Sequence, residues 1–224
     1  KNEGAFPGFA DTIRIRVEGT EDYEFVAGEA VQNNTVKFEQ PAVAVETDED
    51  AMTRIRERFE ILDEMTTAAT NGEIRAMIVS GPPGVGKSFG VEEVLAKDDM
   101  FDILGQRKPK YEIVKGAMSA IGLYTKLYKY SEAKNILVFD DCDSILLDDV
   151  ALNILKAALD SGKKRKIHWN SDSAMLRREG VPDVFDFKGG CIFITNLKFE
   201  NIQSKKMKDH LDALQSRCHF LDLT

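Results

Sequence analysis

No apolar run in this chain approaches the roughly 20 residues that a membrane-spanning helix needs, and its first residues carry neither a basic start nor an apolar signal segment. A cytoplasmic or similarly reducing location, with no membrane partner, is the expectation. Cysteine is scarce: Cys142, Cys191 and Cys218 are an odd number, widely spaced, each in or beside an apolar strand-like run. That pattern speaks against a disulfide framework and against a structural metal, so buried free thiols are expected. Basic residues are outnumbered, 30 Lys and Arg against 38 Asp and Glu, and the net charge of −8 argues against a surface that grips nucleic acid broadly. Local basic loops remain compatible with such binding. There is no internal repeat and no low-complexity segment. The chain also lacks an initial methionine and stops just after a strand-like run, so it reads as a piece of a longer protein.

With 43% hydrophobic and 30% charged residues, 224 residues suffice for one α/β domain with small additions. Residues 1–46 stand apart as a small β-rich extension: Ile13, Ile15 and Val17 alternate with polar residues, and short runs at Tyr23–Val26 and Val43–Val45 are separated by glycine and asparagine turns. From residue 47 the pattern changes. Thr47 to Asp50 has capping-box spacing, Met52, Ile55, Phe59 and Leu62 follow at helical spacing, and Asn71-Gly72 is a stop signal. Strands are predicted at Ala76–Val79, Tyr111–Val114, Ile136–Phe139, Cys191–Ile194 and His219–Leu221, with amphipathic helices between them. Residues 163–190 interrupt this alternation with two strand-like pieces and a short helix near Ser173–Arg178. Alternating strands and helices imply a parallel sheet with helices on both faces, over a domain of residues 47–224.

Directly behind the first of those strands stands Gly81-Pro82-Pro83-Gly84-Val85-Gly86-Lys87-Ser88, followed by Phe89 and a helical pattern. These are the residue types of a phosphate-binding loop. Small residues let successive N–H groups turn inward around phosphate oxygens, the lysine reaches the β- and γ-oxygens, and the serine hydroxyl takes a place on Mg²⁺. The following helix adds its positive N-terminal end. A triphosphate loop of this kind needs an acid at the end of a neighbouring buried strand, and Ile136-Leu137-Val138-Phe139 runs into Asp140-Asp141. Asp140 is the candidate metal residue together with Ser88, and Asp141 the candidate for polarising an attacking water. Two aspartates also suit a helix N-terminus for its own sake.

At this point the chain resembles the AAA+ ATPases, a family of ring-forming motors, over about residues 47 to 224. The resemblance rests on Gly81–Ser88 as Walker A, Ile136–Asp141 as Walker B, Phe193-Ile194-Thr195-Asn196 as the sensor 1 strand, and Leu214-Gln215-Ser216-Arg217-Cys218, which is similar to the Ser-Arg-Cys segment of clamp loaders. It implies a three-layer sandwich around a central parallel five-stranded sheet, and ATP and Mg²⁺ as ligands. It further implies ATP hydrolysis with Lys87, Asp141, Asn196 and Arg217 as the catalytic set. Asn196 would orient the lytic water, and Arg217 would reach the γ-phosphate held by an adjacent subunit. A homo-oligomer, a hexamer or similar ring, follows from that last role. Read from the residues alone, Asn196 also suits a strand-end turn and Arg217 the C-terminal end of a helix. Two departures stand out: the second Walker B acid is the shorter aspartate where the family has glutamate, and the family's helical lid is not found in these residues.

For a substrate, the candidate contacts are the loop Lys115–Gly122, with apolar points at Met118 and Ile121, and the 163–190 insertion. The latter carries Lys163-Lys164-Arg165-Lys166, Arg177-Arg178, His168 and Trp169. Lysines and arginines suit phosphates, and the rings suit base stacking. A solvated charge run beside a packed tryptophan is nonetheless the stronger reading of the insertion, and the 115–122 loop equally suits an ordinary strand-to-helix connection. The leading expectation is a motor that remodels DNA or nucleoprotein. The alternatives are a protein-remodelling ATPase or ATP-controlled assembly switch, and, from another class, a small-molecule kinase.

Overall fold

The computed structural model describes residues 13–16, 22–25, 47–100, 104–105 and 107–224. The chain divides into two compact units, Lys1–Val45 and Glu46–Thr224. In the first, β1 (Ile13–Arg16) and β2 (Asp22–Phe25) pair antiparallel with Ile13 opposite Phe25. Val17, Val26 and the Val43–Val45 run, which the sequence also marks as strand-like, lie outside the described residues.

The second unit is an α/β fold built on five parallel strands: β3 (Ala76–Ser80), β4 (Tyr111–Lys115), β5 (Ile136–Asp140), β8 (Gly190–Thr195) and β9 (His219–Asp222). Their order is β4-β5-β8-β3-β9. Successive side chains of a strand point to opposite faces, so each central strand feeds two cores. Met77, Val79, Val138, Ile192 and Ile194 meet Leu62 and Ala69 of α1 (Asp48–Asn71) and Val91 and Leu95 of α2 (Lys87–Asp98). Ile78, Leu137, Phe139, Cys191 and Phe193 face the other way. They meet α3 (Ala120–Lys129), the one-turn α4 (Asp143–Leu146), α5 (Asp149–Ala158) and α7 (Lys205–Gln215). Helix, sheet and helix form three layers. No described helix is long and apolar enough to cross a membrane.

Local chemistry sets the element ends. Thr47 accepts the Asp50 N–H at 3.2 Å to start α1, and Gly72, at φ 80°, ends it with its N–H on the carbonyls of Ala68 and Ala69. Ser119, Asp148, Ser173 and Ser204 cap α3, α5, α6 (Ala174–Glu179) and α7 in the same manner.

The interruption at 163–190 takes the form its two strand-like pieces and short helix predict, a short antiparallel pair, β6 (Lys166–His168) with β7 (Val184–Asp186), enclosing α6. Trp169 packs on the core with its ring 5.5 Å from that of Tyr124, so it is not presented for stacking on a ligand. Arg165 is likewise engaged, donating to the carbonyls of Ala158 and Gly189 at 3.0 Å each, and Arg177 pairs with Asp172. The supposed 115–122 loop is shorter. Lys115 closes β4 and Ser119 caps α3, leaving 116–119, while Met118 and Ile121 pack against the core. The free thiols agree in part: Cys142 and Cys191 are buried, Cys218 only partly so.

Candidate nucleotide site

Four segments far apart in sequence meet at the C-terminal ends of β3, β5 and β8. The loop after β3 turns sharply because Gly84 and Gly86 adopt φ of 82° and 99°, conformations that a Cβ makes costly. Gly86 is the N-cap of α2; no side chain caps that helix and its first turn carries no acid. The positive end of the helix therefore points into the loop without an internal counter-charge. Val85 turns away to pack with the α1–α2 core.

Lys87 is buried, and its Nζ donates to the carbonyls of Gly81 and Pro82 at 2.9 Å each and to Asn196 Oδ1 at 2.8 Å. Burial holds its pKa below the ordinary lysine value, with the carboxylates of Asp141 and Asp140 pulling the other way. Asn196 passes the connection on, its Nδ2 donating to Asp141 Oδ1 at 3.0 Å. This relay exists because β8 lies between β3 and β5, so the residue following β8 stands between the loop and the acids. Asp141 takes φ 51°, the left-handed region that aspartate tolerates better than most residues, and its N–H donates to the Ile194 carbonyl. A non-glycine residue held there is strained, a feature that gathers at functional sites.

Ser88 Oγ donates to Asp140 Oδ1 at 2.8 Å, and Lys115 Nζ lies 3.2 Å from Asp140 Oδ2. The sequence marks that lysine only as the first residue of the 115–122 loop and not as a partner of Asp140. It reaches Asp140 because β4 and β5 pair in parallel with Lys115 opposite Asp140, a register that no local signal announces. Thr195 Oγ1 donates to Asp143 Oδ1 at 2.7 Å, bracing the end of β8 against the turn after β5. A cavity of about 330 Å³ opens here, with Gly84, Lys87, Ser88, Asp140, Asp141 and Asn196 among its walls. Phe89 stands at its rim, 73% exposed.

Of the nucleotide and metal residues read from the sequence, those of the glycine loop other than Val85, with Asp140, Asp141 and Asn196, meet at this place, and Arg217 does not. It lies at the opposite end of the sheet, where its Nη1 donates to the Ala213 carbonyl in the last turn of α7. Its Nε is buried without a partner.

The donors available for a metal are one hydroxyl and one carboxylate, hard oxygens side by side. They fit Mg²⁺, which keeps several waters and takes its other ligands from phosphates. Among the described residues there is no group of three or more His, Cys, Asp or Glu that would cage an ion by itself.

No family model matches the chain. It is similar to an uncharacterized 36.7 kDa protein in the nrdC-mobD intergenic region of Enterobacteria phage T4, with 35% identity over 213 residues. The match takes in 94% of this chain but only 63% of the length of that relative.

Proposed function

We propose that this chain binds ATP with Mg²⁺ between its glycine loop and Asp140, and hydrolyses it as an AAA+ type ATPase that works between copies. The observation that carries the reading is the continuous Lys87–Asn196–Asp141 relay beside the Ser88–Asp140 pair. A fortuitous glycine turn would have no reason to gather a buried lysine, a serine, an amide and two acids from three strands. The strand order, with a strand inserted between the loop strand and the acid strand, also suits the family.

In this proposal Lys87 exchanges its loop carbonyls for phosphate oxygens, and the uncapped start of α2 faces the same anion. Phe89 offers a ring face at the rim. Bound Mg²⁺ supplies charge neutralisation on the phosphates and a fixed orientation for them. Asp141 accepts a proton from the attacking water, and Asn196 holds that carboxylate in line.

Arg217 does its part in trans. Residues 75 and 81 flank β3, and at about 3.3 Å per residue they stand about 20 Å apart, far beyond the reach of an arginine side chain. The guanidinium therefore serves a neighbour's phosphates or none. Such a group is worth about 10³–10⁵ in rate in related phosphoryl transfer.

For the substrate, the engaged Trp169, Arg165 and Arg177 favour a polypeptide, or an assembly switch, over the nucleic acid that the basic run suggests. Lys163, Lys164, Lys166, His168 and Arg178 remain exposed for the latter. The test is ATP turnover with single-stranded DNA, double-stranded DNA or unfolded protein added, alongside mass in solution with a non-hydrolysable analogue. Stimulation by DNA alone restores the nucleic-acid reading. A chain that neither binds ATP nor changes mass with it refutes the proposal, and phosphate passed from a bound monomer to a small acceptor makes it a kinase.

A further inference from the structure

The N-terminal ends of the strands hold a cavity of about 430 Å³, on whose wall stand Glu73, Arg75, Ser161, Ser216, Arg217 and His219. We propose that this cavity is the receiving half of a joint between two copies of the chain, and that Arg75 acts in it beside Arg217 as a second guanidinium for the neighbour's triphosphate. The inference rests on the function proposed above and extends it to a residue outside the family motifs.

Arg75 directly precedes β3, and Arg217 precedes β9 by two residues. Those strands are parallel neighbours, with Met77 opposite His219. Arg217 sits in the turn that leads from α7 into β9, and because β9 lies against β3 both arginines come to the wall of one cavity. Neither has a carboxylate within ion-pair distance among the described residues. Arg75 spends one N–H on the Asp160 carbonyl at 2.7 Å, which anchors the side chain and leaves the rest of its fork available. Arg217 keeps a buried Nε without a partner. The electrostatic field of Arg75 also reaches inward. It adds to the burial that lowers the pKa of Arg165, so a further positive charge stands nearby.

Two unpaired arginines side by side are unexpected in a chain with eight more acids than bases. They repel one another, and a structural role would be better served by an acid between them. The one carboxylate on the wall, Glu73, pairs with neither. The Ser161 hydroxyl and the His219 imidazole add donors for anionic oxygens, to which a guanidinium fork is matched in shape as well as charge, while Ser216 spends its hydroxyl on the Ala213 carbonyl. The volume lies in the usual range of small-ligand sites, about 300–1,000 Å³. The occupant is the triphosphate of a second copy, because each copy presents one on the opposite end of its sheet. A head-to-tail contact of this kind propagates, as a ring or helix requires.

The experiment is sedimentation velocity of the chain with a non-hydrolysable ATP analogue. Wild type should assemble. Arg75→Gln should need about tenfold more protein to do so, the scale of a lost charge-assisted hydrogen bond, and Arg75→Lys should fall between the two. Direction is read by mixing. Arg75→Gln supplies a loaded loop but a poor cavity, whereas Lys87→Ala supplies an intact cavity but no loaded loop. Together they should form pairs and nothing longer. If Arg75→Gln and Arg75→Lys both assemble as wild type does while Arg217→Ala does not, the role of Arg75 is refuted and the trans reading stands. Should Arg75→Gln also fail to pair with Lys87→Ala, its defect lies in its own fold and the assignment falls. A wild-type chain that stays single at every nucleotide concentration overturns both.

Discussion

At the C-terminal ends of β3, β5 and β8 the charged groups satisfy one another, Lys87 against two carbonyls and Asn196, Asp140 against Ser88 and Lys115. At the N-terminal ends, Arg75 and Arg217 share a cavity with no acid paired to either. The contrast separates a site that is complete within one chain from one that calls for something outside it. Buried charges are costly unless compensated, so the first end can be dry and ordered by itself, whereas the second keeps its arginines half in water or folded on a helix end.

The sharpest test of that contrast is to remove the cation from each end. Lys87→Ala should weaken triphosphate binding by at least about 100-fold, because it deletes the only buried lysine among the described residues, one that lines the loop cavity. Arg217→Ala should leave affinity within about threefold and lower turnover about 10³-fold. Fluorescent-nucleotide titration and steady-state hydrolysis read the two effects separately. Equal loss of affinity in both variants would mean that the two ends act as one site. Next in size is Asn196→Ala, which cuts the relay at its middle. Turnover should fall about 10²-fold, as on removal of one preorganised donor, with little change in affinity.

A smaller effect compares the ends through their thiols. Burial pushes Cys142, at the glycine-loop end, up to about 11, with Asp140, Asp143 and Asp141 adding to it. At the other end burial raises Cys191 strongly and takes Cys218 to about 12, Arg217 opposing the latter. A thiol raised on folding contributes stability that is whole below the unfolded value near 9 and is lost as pH climbs through the folded value. Lys87, lowered by burial, works in the opposite sense over the alkaline range, against the three thiols and, at higher pH, Tyr111, Tyr124 and Tyr130, which burial raises as well. Denaturant unfolding should therefore show stability declining above pH 9 by on the order of 1 kcal/mol per pH unit. A flat profile from pH 8 to 10 would show that the thiols ionise as readily folded as unfolded. Smallest of all, Thr47→Ala removes the α1 cap, remote from the chemistry of either end. It should cost about 1 kcal/mol in a melting experiment without touching nucleotide affinity.

The two ends also differ in how readable they are. The loop residues Gly81–Ser88 and the acids Asp140-Asp141 are contiguous, and their types alone carry the chemistry, so they stand out in the sequence. The short helix Asp143–Leu146, the hold of Lys115 on Asp140 and the meeting of Arg75 and Arg217 at one cavity do not. Each depends on which strand lies beside which and in what register. Parallel strands joined by long crossovers carry no turn that reports either, and their near-continuous apolar runs look alike. Trp169 packs on Tyr124 as the plainer sequence reading holds, whereas the engagement of Arg165 with the Ala158 and Gly189 carbonyls is not legible, because in sequence it sits in a basic, solvent-like run.

Local signals therefore determined the strands, the helix caps, the glycine loop and the acid-ended strand, because each depends on backbone preference and hydrophobic period over a few neighbouring residues. The tertiary structure decided that β8 enters between β3 and β5, which sets Asn196 between Lys87 and Asp141, and that β9 lies against β3, which brings two arginines to the far end. Strand order is settled by how two layers of helices close over both faces of one sheet at once, a condition that belongs to the whole chain and to no segment of it.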